Sequence, residues 1–201
     1  MVTAMFLSCQ SANGQKDKQK SDMYNQEYEY KDVSTTTKEY ITKEVSIYNL
    51  NGDIEIKSYN GDKVKVITTT TIKANDQYQI NVAKNEIKLG TDNSEELSLY
   101  VVEPYDTRPK KQEGKNIKWD EKKYEFFVSY AIELPANTRL NLNTVNGDID
   151  VVNINGDIRT NSVNGDINLK DVSKVYKAIT VNGDVNVISS NANDVVAEYQ
   201  T

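Results

Sequence analysis

The sequence contains no histidine and only one cysteine among its 201 residues. Without histidine there is no Ser-His-Asp or Cys-His nucleophile pair, and no imidazole can act as acid or base near neutral pH. A single cysteine excludes an internal disulfide and a thiolate metal cluster. We therefore predict that the protein is not an enzyme, has no metal site and needs no cofactor.

Basic residues and long apolar runs are also scarce. The chain has 30 acidic and 24 basic residues, a formal net charge of -6. A surface of this sign repels polyphosphate, so we expect no nucleic-acid partner. No apolar run approaches the roughly 20 residues of a membrane-spanning helix.

The only cysteine follows a short apolar stretch at the start of the chain. Phe6-Leu7-Ser8-Cys9 resembles the end of a bacterial lipoprotein signal peptide. The resemblance implies that Cys9 becomes the lipidated first residue of the mature protein. Residues 1–9 are shorter than an ordinary signal peptide and contain no basic residue. The alternative is a disordered start with an incidental thiol.

Residues 10–30 are polar and are predicted to be a flexible tether. With a lipid at Cys9, such a tether would join a folded domain to a membrane. The expected location is the bacterial cell envelope, either at the outer membrane and periplasm or at the cell surface.

Residues 31–201 have the composition of an all-β domain. Thirteen tyrosines and many asparagines, threonines and valines are typical of strands and turns. Apolar residues that alternate with a period of two predict strands with one buried face. The predicted strands include Val45–Ile47, Val64–Ile72, Ile80–Val82, Ile87–Leu89, Leu97–Val101 and Phe126–Leu134.

One segment, residues 103–123, interrupts this alternation. It contains Pro104, Pro109 and Gly114 among many charges, which predicts a long exposed loop. Its aromatic residues Tyr105 and Trp119 are either a ligand platform or side chains that fix the loop to the body.

The tripeptide Asn-Gly-Asp occurs six times and uses six of the nine glycines. Asn-Gly readily adopts positive φ, so each copy predicts a tight structural turn. An apolar residue precedes every copy and is predicted to anchor the turn inward: Leu50, Tyr59, Val145, Ile154, Val163 and Val181. The six copies are Asn51-Gly52-Asp53, Asn60-Gly61-Asp62, Asn146-Gly147-Asp148, Asn155-Gly156-Asp157, Asn164-Gly165-Asp166 and Asn182-Gly183-Asp184.

The copies in the C-terminal half repeat best at eighteen residues. Thr144–Ile149, Ser162–Ile167 and Thr180–Val185 align closely, which predicts a parallel β-helix or β-solenoid with about eighteen residues and two corners per coil. The regular part is residues 137–201, and an irregular β-rich part precedes it. A β-bulge is predicted at Asn60, where the pattern slips.

Stacking at this period predicts two inward columns, which are Ile149, Ile167, Val185 and Val151, Leu169, Val187. The opposite side of the coil is less regular, and we expect it to be distorted or shifted by one residue. Its two series are Ile158, Tyr176, Asp194 and Thr160, Ala178, Val196.

Together these features resemble the bacterial putative adhesin domain family. The resemblance rests on Val45–Ile56, on Tyr130–Pro135 and on the serial Thr-Val-Asn-Gly-Asp-Ile turns, and it extends over about residues 45–201. It implies a β-solenoid of the bacterial envelope, often on a lipoprotein, with a role in adhesion. It supplies no catalytic residues.

Two more specific functions would involve the acidic residues, namely calcium binding and carbohydrate-active catalysis. The turns resemble calcium-binding β-rolls but lack their second glycine, so we expect Asp148, Asp157, Asp166 and Asp184 to accept turn N–H groups instead. A loosely held cation stays an alternative. A carbohydrate-active enzyme is less favoured, because the outward series Asp150, Asn168, Asn186 and the outward pair Arg159, Lys177 are predicted to lie on opposite faces.

The sequence thus favours a non-catalytic envelope lipoprotein that presents a β-solenoid surface for adhesion or binding. The ligand would be a glycan or a protein, and the membrane would be a partner through Cys9. The alternative is a structural module that self-associates through the open ends of the solenoid.

Overall fold

The computed structural model describes residues 30–108 and 123–189, and the backbone of residues 198–200. This part of the chain is mostly β, with a single short helix. The all-β prediction is therefore confirmed at that level. In chain order the elements are β1 (Tyr30–Tyr40), β2 (Glu44–Tyr48), β3 (Ile54–Ser58), β4 (Val64–Ala74), α1 (Gln77–Glu86), β5 (Lys88–Asp92), β6 (Leu97–Glu103), β7 (Tyr124–Leu134), β8 (Arg139–Asn143), β9 (Ile149–Val152), β10 (Asp157–Asn161), β11 (Ile167–Val172), β12 (Lys174–Ile179), β13 (Val185–Ser189) and β14 (Glu198–Gln200).

The strands form two mixed sheets of seven strands each. Sheet A has the order β1-β4-β7-β3-β9-β11-β13, and sheet B has the order β14-β12-β10-β8-β2-β6-β5. Pairing is antiparallel only where β1, β4 and β7 adjoin and where β5 meets β6. From β8 to β14, consecutive strands alternate between the two sheets, and the inward residues of both sheets form one apolar core.

The strands of sheet A pair in the predicted eighteen-residue register. Ile167 pairs in parallel with Ile149 on one side and with Val185 on the other. Leu169 likewise lies between Val151 and Val187. The two predicted inward columns are therefore confirmed, because a parallel ladder brings residues of equal phase side by side.

Sheet B shows the predicted one-residue shift. Thr160 pairs with Ala178 as expected, but Ile158 pairs with Val175, and the register shifts between Ile158 and Arg159. Tyr176 is consequently exposed instead of buried. Asp194 and Val196 of the same predicted series lie outside the described residues.

One predicted strand is wrong. Ile80 and Val82 lie on helix α1, whose N-cap Asp76 accepts a hydrogen bond from Gln79 N at 2.7 Å. The helix packs against β4, β1 and β7 through the buried side chains of Ile80 and Ala83. Two apolar residues spaced by two also fit a helix, so the short alternation there could not distinguish the two structures.

Two further predictions also need correction, the strand Ile87–Leu89 and the bulge at Asn60. Leu89 lies on β5 but is exposed, and Ile87 is the C-cap of α1. Residues 60–62 form the turn between β3 and β4, and neither strand shows a register shift, so the bulge predicted at Asn60 is wrong.

The predicted loop 103–123 is described only at its two ends. Tyr105 is buried in the core, which agrees with an aromatic side chain that fixes the loop to the body. Trp119 lies outside the described residues. In the part of the chain that is described, no helix has the length and apolar character to cross a membrane.

We predict that Leu169→Ala lowers the free energy of unfolding by about 2–5 kcal/mol, because it leaves a cavity in a packed column. Leu169 is only 1% exposed, between Val151 and Val187. Thermal and chemical denaturation would measure the change. Lys170→Ala, on the exposed face of the same strand, is the control, and equal melting temperatures for the two variants would contradict the packed column.

Candidate functional site

Four of the six Asn-Gly-Asp motifs stack into one line beside sheet A, which we call the corner column (51–53, 146–148, 164–166 and 182–184). Their asparagines form successive parallel bridges. Each side-chain amide donates to the Oδ1 of the asparagine before it at 2.7 Å, from Asn182 to Asn164, then to Asn146 and then to Asn51. Asn51 Nδ2 in turn donates to the carbonyl of Phe126 on β7 at 3.3 Å.

The glycines of the corner column are fixed by two separate constraints. Gly165 has φ of 149°, which an L side chain rarely adopts. A Cβ there would also lie 2.2 Å from the carbonyl oxygen of Gly147. Gly52, Gly147 and Gly183 likewise combine positive φ with a contact of this kind to a neighbouring backbone carbonyl.

The aspartates of the corner column bind their neighbours. Asp53 Oδ1 accepts from the backbone N–H of Asp148 at 3.0 Å, and Asp148 and Asp166 accept from the next N–H at 2.8 Å. Carboxylates thus accept backbone N–H groups as expected, but from the adjacent corner and not from their own turn. These bonds give the aspartates a structural role that needs no cation.

Three of the four predicted inward anchors of this column are wrong, whereas Leu50 packs partly buried against the core as predicted. Val145, Val163 and Val181 are 36%, 39% and 63% exposed, whereas the residue before each of them is buried. At two of the corners the buried hydroxyl has a clear partner: Ser162 Oγ donates to Gly147 O at 3.2 Å and Thr180 Oγ1 to Gly165 O at 2.8 Å. At these two corners the inward position therefore holds a hydroxyl that pairs with a backbone carbonyl, and the valine faces solvent. Thr144 Oγ1, before Val145, has no hydrogen-bond partner among the described residues.

The other two Asn-Gly-Asp motifs, residues 60–62 and 155–157, are not part of the corner column. At Asn155-Gly156-Asp157 the residue with positive φ is Asn153, with φ of 62°, and Gly156 is required because a Cβ would lie 2.1 Å from Thr138 O. Ile154 before this motif is fully buried as predicted, and Asp157 begins β10. At Asn60-Gly61-Asp62 a Cβ on Gly61 would meet only the ring of Tyr59.

The solvent-facing side of sheet B holds a set of polar side chains that sequence reasoning missed. We call it the tyrosine–amide row: Tyr100 on β6, Tyr48 on β2, Asn141 and Asn143 on β8, and Asn161 on β10. Tyr48 pairs in register with Tyr100 and with Asn143, and Asn143 pairs with Asn161. All five are half-buried.

A hydrogen-bonded chain connects four of the five members of this row, all except Tyr100. Asn161 Nδ2 donates to Asn143 Oδ1 at 2.9 Å, and Asn143 Nδ2 donates to Asn141 Oδ1 at 3.1 Å. Asn141 Nδ2 then donates to the hydroxyl of Tyr48 at 3.3 Å. These bonds fix the positions of the side chains on an otherwise open sheet face.

A serine lies beneath the row, and stacked guanidinium groups flank it. Ser46 is completely buried between Ser98 and Asn141, and its hydroxyl has no hydrogen-bond partner in the described part of the chain. Arg108 lies over the Tyr100 ring at 4.5 Å and also binds Asp106. Arg159 on β10 lies beside Asn141 in register and over a tyrosine ring of β12 at 4.9 Å.

The solvent-facing side of sheet A has a different chemistry. A shallow depression of about 220 Å³ there is lined by Ile67, Ala131 and Val152, with Glu55 and Asp150 beside them. Glu133 also lines it and binds Lys57 at 3.0 Å, and this ammonium holds the pKa of the Glu133 carboxyl below its usual range. No group of three acidic or cysteine side chains in the described residues is arranged to hold a metal ion.

The outward series predicted from the sequence lie where expected. Asp150, Asn168 and Asn186 adjoin on sheet A, and Asn168 Nδ2 donates to Asp150 Oδ1 at 3.0 Å. Arg159 and Lys177 pair on sheet B. The acidic and basic series are therefore on different sheets. Cys9 lies outside the described residues.

Comparison with known proteins finds weak structural similarity and no sequence family. No family model matches the chain, and no curated protein matches it either. It is similar to a solved structure described as a putative cell adhesion protein from Clostridium sporogenes ATCC 15579, at 13% identity and a TM-score of 0.28, over 85% of this chain and 100% of that one. A TM-score this low supports no assignment.

We predict that Gly165→Ala lowers the free energy of unfolding by at least about 1–3 kcal/mol, because its backbone strain adds to a clash with a backbone carbonyl. Gly61→Ala is the matched control, since Gly61 lacks positive φ and its nearest neighbour is a side chain that can move. Chemical denaturation would compare them. If Gly61→Ala were the more harmful change, the proposed role of the corner column would be wrong.

Proposed function

We propose that this chain is a non-catalytic lipoprotein of the bacterial cell envelope, whose β-solenoid presents a surface for adhesion or binding. The observation that carries the proposal is the tyrosine–amide row. Its bonded side chains are held on a solvent-facing sheet before any ligand arrives, and such preorganisation lowers the entropy cost of binding.

A β-solenoid is supported by the way the chain alternates between the sheets. One strand of sheet A and the sheet B strand that follows it form a unit, as β9 does with β10 and β11 with β12. From one unit to the next, the chain moves by one strand position in each sheet. The parallel register of eighteen residues and the bonded corner column recur from one such unit to the next. We infer that each unit is one coil of the solenoid.

A non-catalytic role is supported by the use of the acidic residues. The carboxylates of Asp53, Asp148 and Asp166 already bind backbone N–H groups of neighbouring corners. The outward Asp150 and the outward Arg159 belong to different sheets, so this acidic and this basic group do not share one cleft.

A structural module that assembles through its sheet edges is the second candidate. Strand β13, at one edge of sheet A, contains no charged residue, while β1 at the other edge contains Lys38 and Glu39. Charges on an edge strand oppose pairing with another chain. Val187 on β13 is also only half-buried, whereas Leu169 beside it is buried.

The adhesion proposal predicts that surfaces coated with the full chain retain bacterial cells or their wall material. The double variant Asn143→Ala/Asn161→Ala should reduce retention strongly, because it removes two amides and two bonds of the row. Asn168→Ala, an outward amide of sheet A, is the control and should retain cells like the native chain. No retention, together with concentration-dependent filaments in sedimentation, would favour the assembly module instead.

The lipoprotein part of the proposal rests on the sequence Phe6-Leu7-Ser8-Cys9. We predict that a bacterium that expresses the chain with its native upstream sequence incorporates labelled fatty acid into it, and that Cys9→Ser abolishes the label and releases the protein from membranes. A wild-type protein that never acquires the label would disprove lipidation and leave the binding surface untouched.

A further inference from the structure

We propose that the tyrosine–amide row binds an uncharged polysaccharide, which lies across strands β6, β2, β8 and β10. This inference rests on the proposed binding function and assigns its site and its class of ligand. It follows from the chemistry of the side chains, their spacing, their preorganisation and an unsatisfied hydroxyl beneath them.

The row consists of groups that both donate and accept hydrogen bonds. Each of Asn141, Asn143 and Asn161 has two N–H donors and a carbonyl acceptor, and Tyr48 and Tyr100 have hydroxyls. Asn141 and Asn161 each use one donor in the internal chain, whereas Asn143 Nδ2 donates both to Asn141 Oδ1 and to Ile47 O. The remaining donors and acceptors match sugar hydroxyls, which are themselves both donor and acceptor.

The charges around the row favour an uncharged ligand. None of the five residues of the row is charged, and Arg108 at its edge already binds both oxygens of Asp106. This ion pair raises the pKa of Arg108 above its ordinary value, so the guanidinium stays charged and paired. Arg159 lies beside Asn141 in register with the row, and binding of an anionic polymer through this cation would be lost at high salt.

The spacing of the row suits a polymer. Its members occupy four adjacent strands, which at about 4.8 Å between strands gives a span of roughly 14 Å. Amides on β8 and β10 meet the solvent in register, so successive units of a repeating chain would encounter similar partners. The tyrosine rings of β2 and β6 add apolar surface for the C–H groups of a sugar ring.

The internal bonds make binding less costly. Asparagine and tyrosine side chains lose rotamer freedom when a ligand immobilises them. Here Asn161, Asn143, Asn141 and Tyr48 are already connected in one chain of bonds. A polar ligand therefore meets side chains that are held in place.

The buried hydroxyl of Ser46 lies beside the row and, like that of Thr144, has no hydrogen-bond partner among the described residues. Ser46 is 0% exposed, and its Oγ has no partner among the described residues. Native proteins pair nearly all such groups, because an unmade buried hydrogen bond costs free energy. Asn141, a member of the row, is the residue beside Ser46 on β8, so this unpaired hydroxyl borders the proposed site.

A polysaccharide fits the row better than a protein partner does. Stable protein interfaces centre on apolar and aromatic side chains that enter pockets of the partner. Val145, Val163 and Val181, which are exposed, directly precede motifs of the corner column, and the exposed Tyr176 lies on β12, outside the row. The tyrosines of the row are half-buried among their polar neighbours.

The test uses the purified full chain in affinity electrophoresis with dextran, mannan, laminarin and galactomannan, and with hyaluronate as an anionic polymer. We expect retardation by at least one uncharged polysaccharide, unchanged between low and high salt. Asn143→Ala/Asn161→Ala should weaken this affinity about tenfold or more. Asn168→Ala is the control and should leave it unchanged, and Tyr48→Phe should weaken it by a smaller factor. Thermal melting of each variant would establish that it folds.

The outcomes separate this inference from the function on which it rests. Retention of cells that depends on Asn143 and Asn161, without binding to any uncharged polysaccharide, would overturn the ligand class and keep the binding surface. Binding to hyaluronate alone that is lost at high salt would also overturn it. Equal weakening by the sheet A control would overturn the site.

Discussion

The close approach of one backbone corner to the next is the constraint on which the rest of the structure depends. Gly147, Gly165 and Gly183 each lie against the carbonyl of the glycine in the preceding corner, and Gly52 lies against Val128 O, at distances that exclude a Cβ. Backbone N–H groups of the same corners donate across this contact, as from Gly165 to Asn182 O at 3.0 Å. A side chain at these positions would separate the strands that follow, so the parallel register of sheet A depends on them.

A fixed register has a direct consequence for the two solvent-facing surfaces. Because inward and outward residues alternate, the phase that buries Ile167 and Leu169 also places Asn168 outward beside Asp150. The same logic places Asn143 beside Asn161 on sheet B. The two sheets thereby acquire different surface chemistry, with carboxylates prominent on sheet A and tyrosines and amides on sheet B.

Much of this arrangement follows from the sequence, but not all of it. The columns around Ile167 were predictable, because a turn motif with a fixed period sets the phase of the residues after it. The inward role of Val163 was not, since the direction of a side chain at a corner depends on backbone angles that a tripeptide does not reveal. Helix α1 was missed although Asp76 before Gln77 is a usual helix start. The tyrosine–amide row was not predictable from the sequence, because Tyr48 and Asn143 are 95 residues apart and only strand pairing brings them together.

The bonds that side chains make along the corner column all point the same way, whereas its backbone N–H groups donate to both neighbouring corners. Every asparagine amide and every aspartate-bound N–H donates toward the corner nearer the N-terminal strands, and the series ends at the carbonyl of Phe126. The column is thus polar along its length: its first member is closed by β7, and its last described member presents acceptor oxygens of Asn182 and Asp184. A further corner of the same kind would extend this series by donating its asparagine amide to Asn182 Oδ1 and its backbone N–H to Asp184 Oδ1, as the preceding corners do.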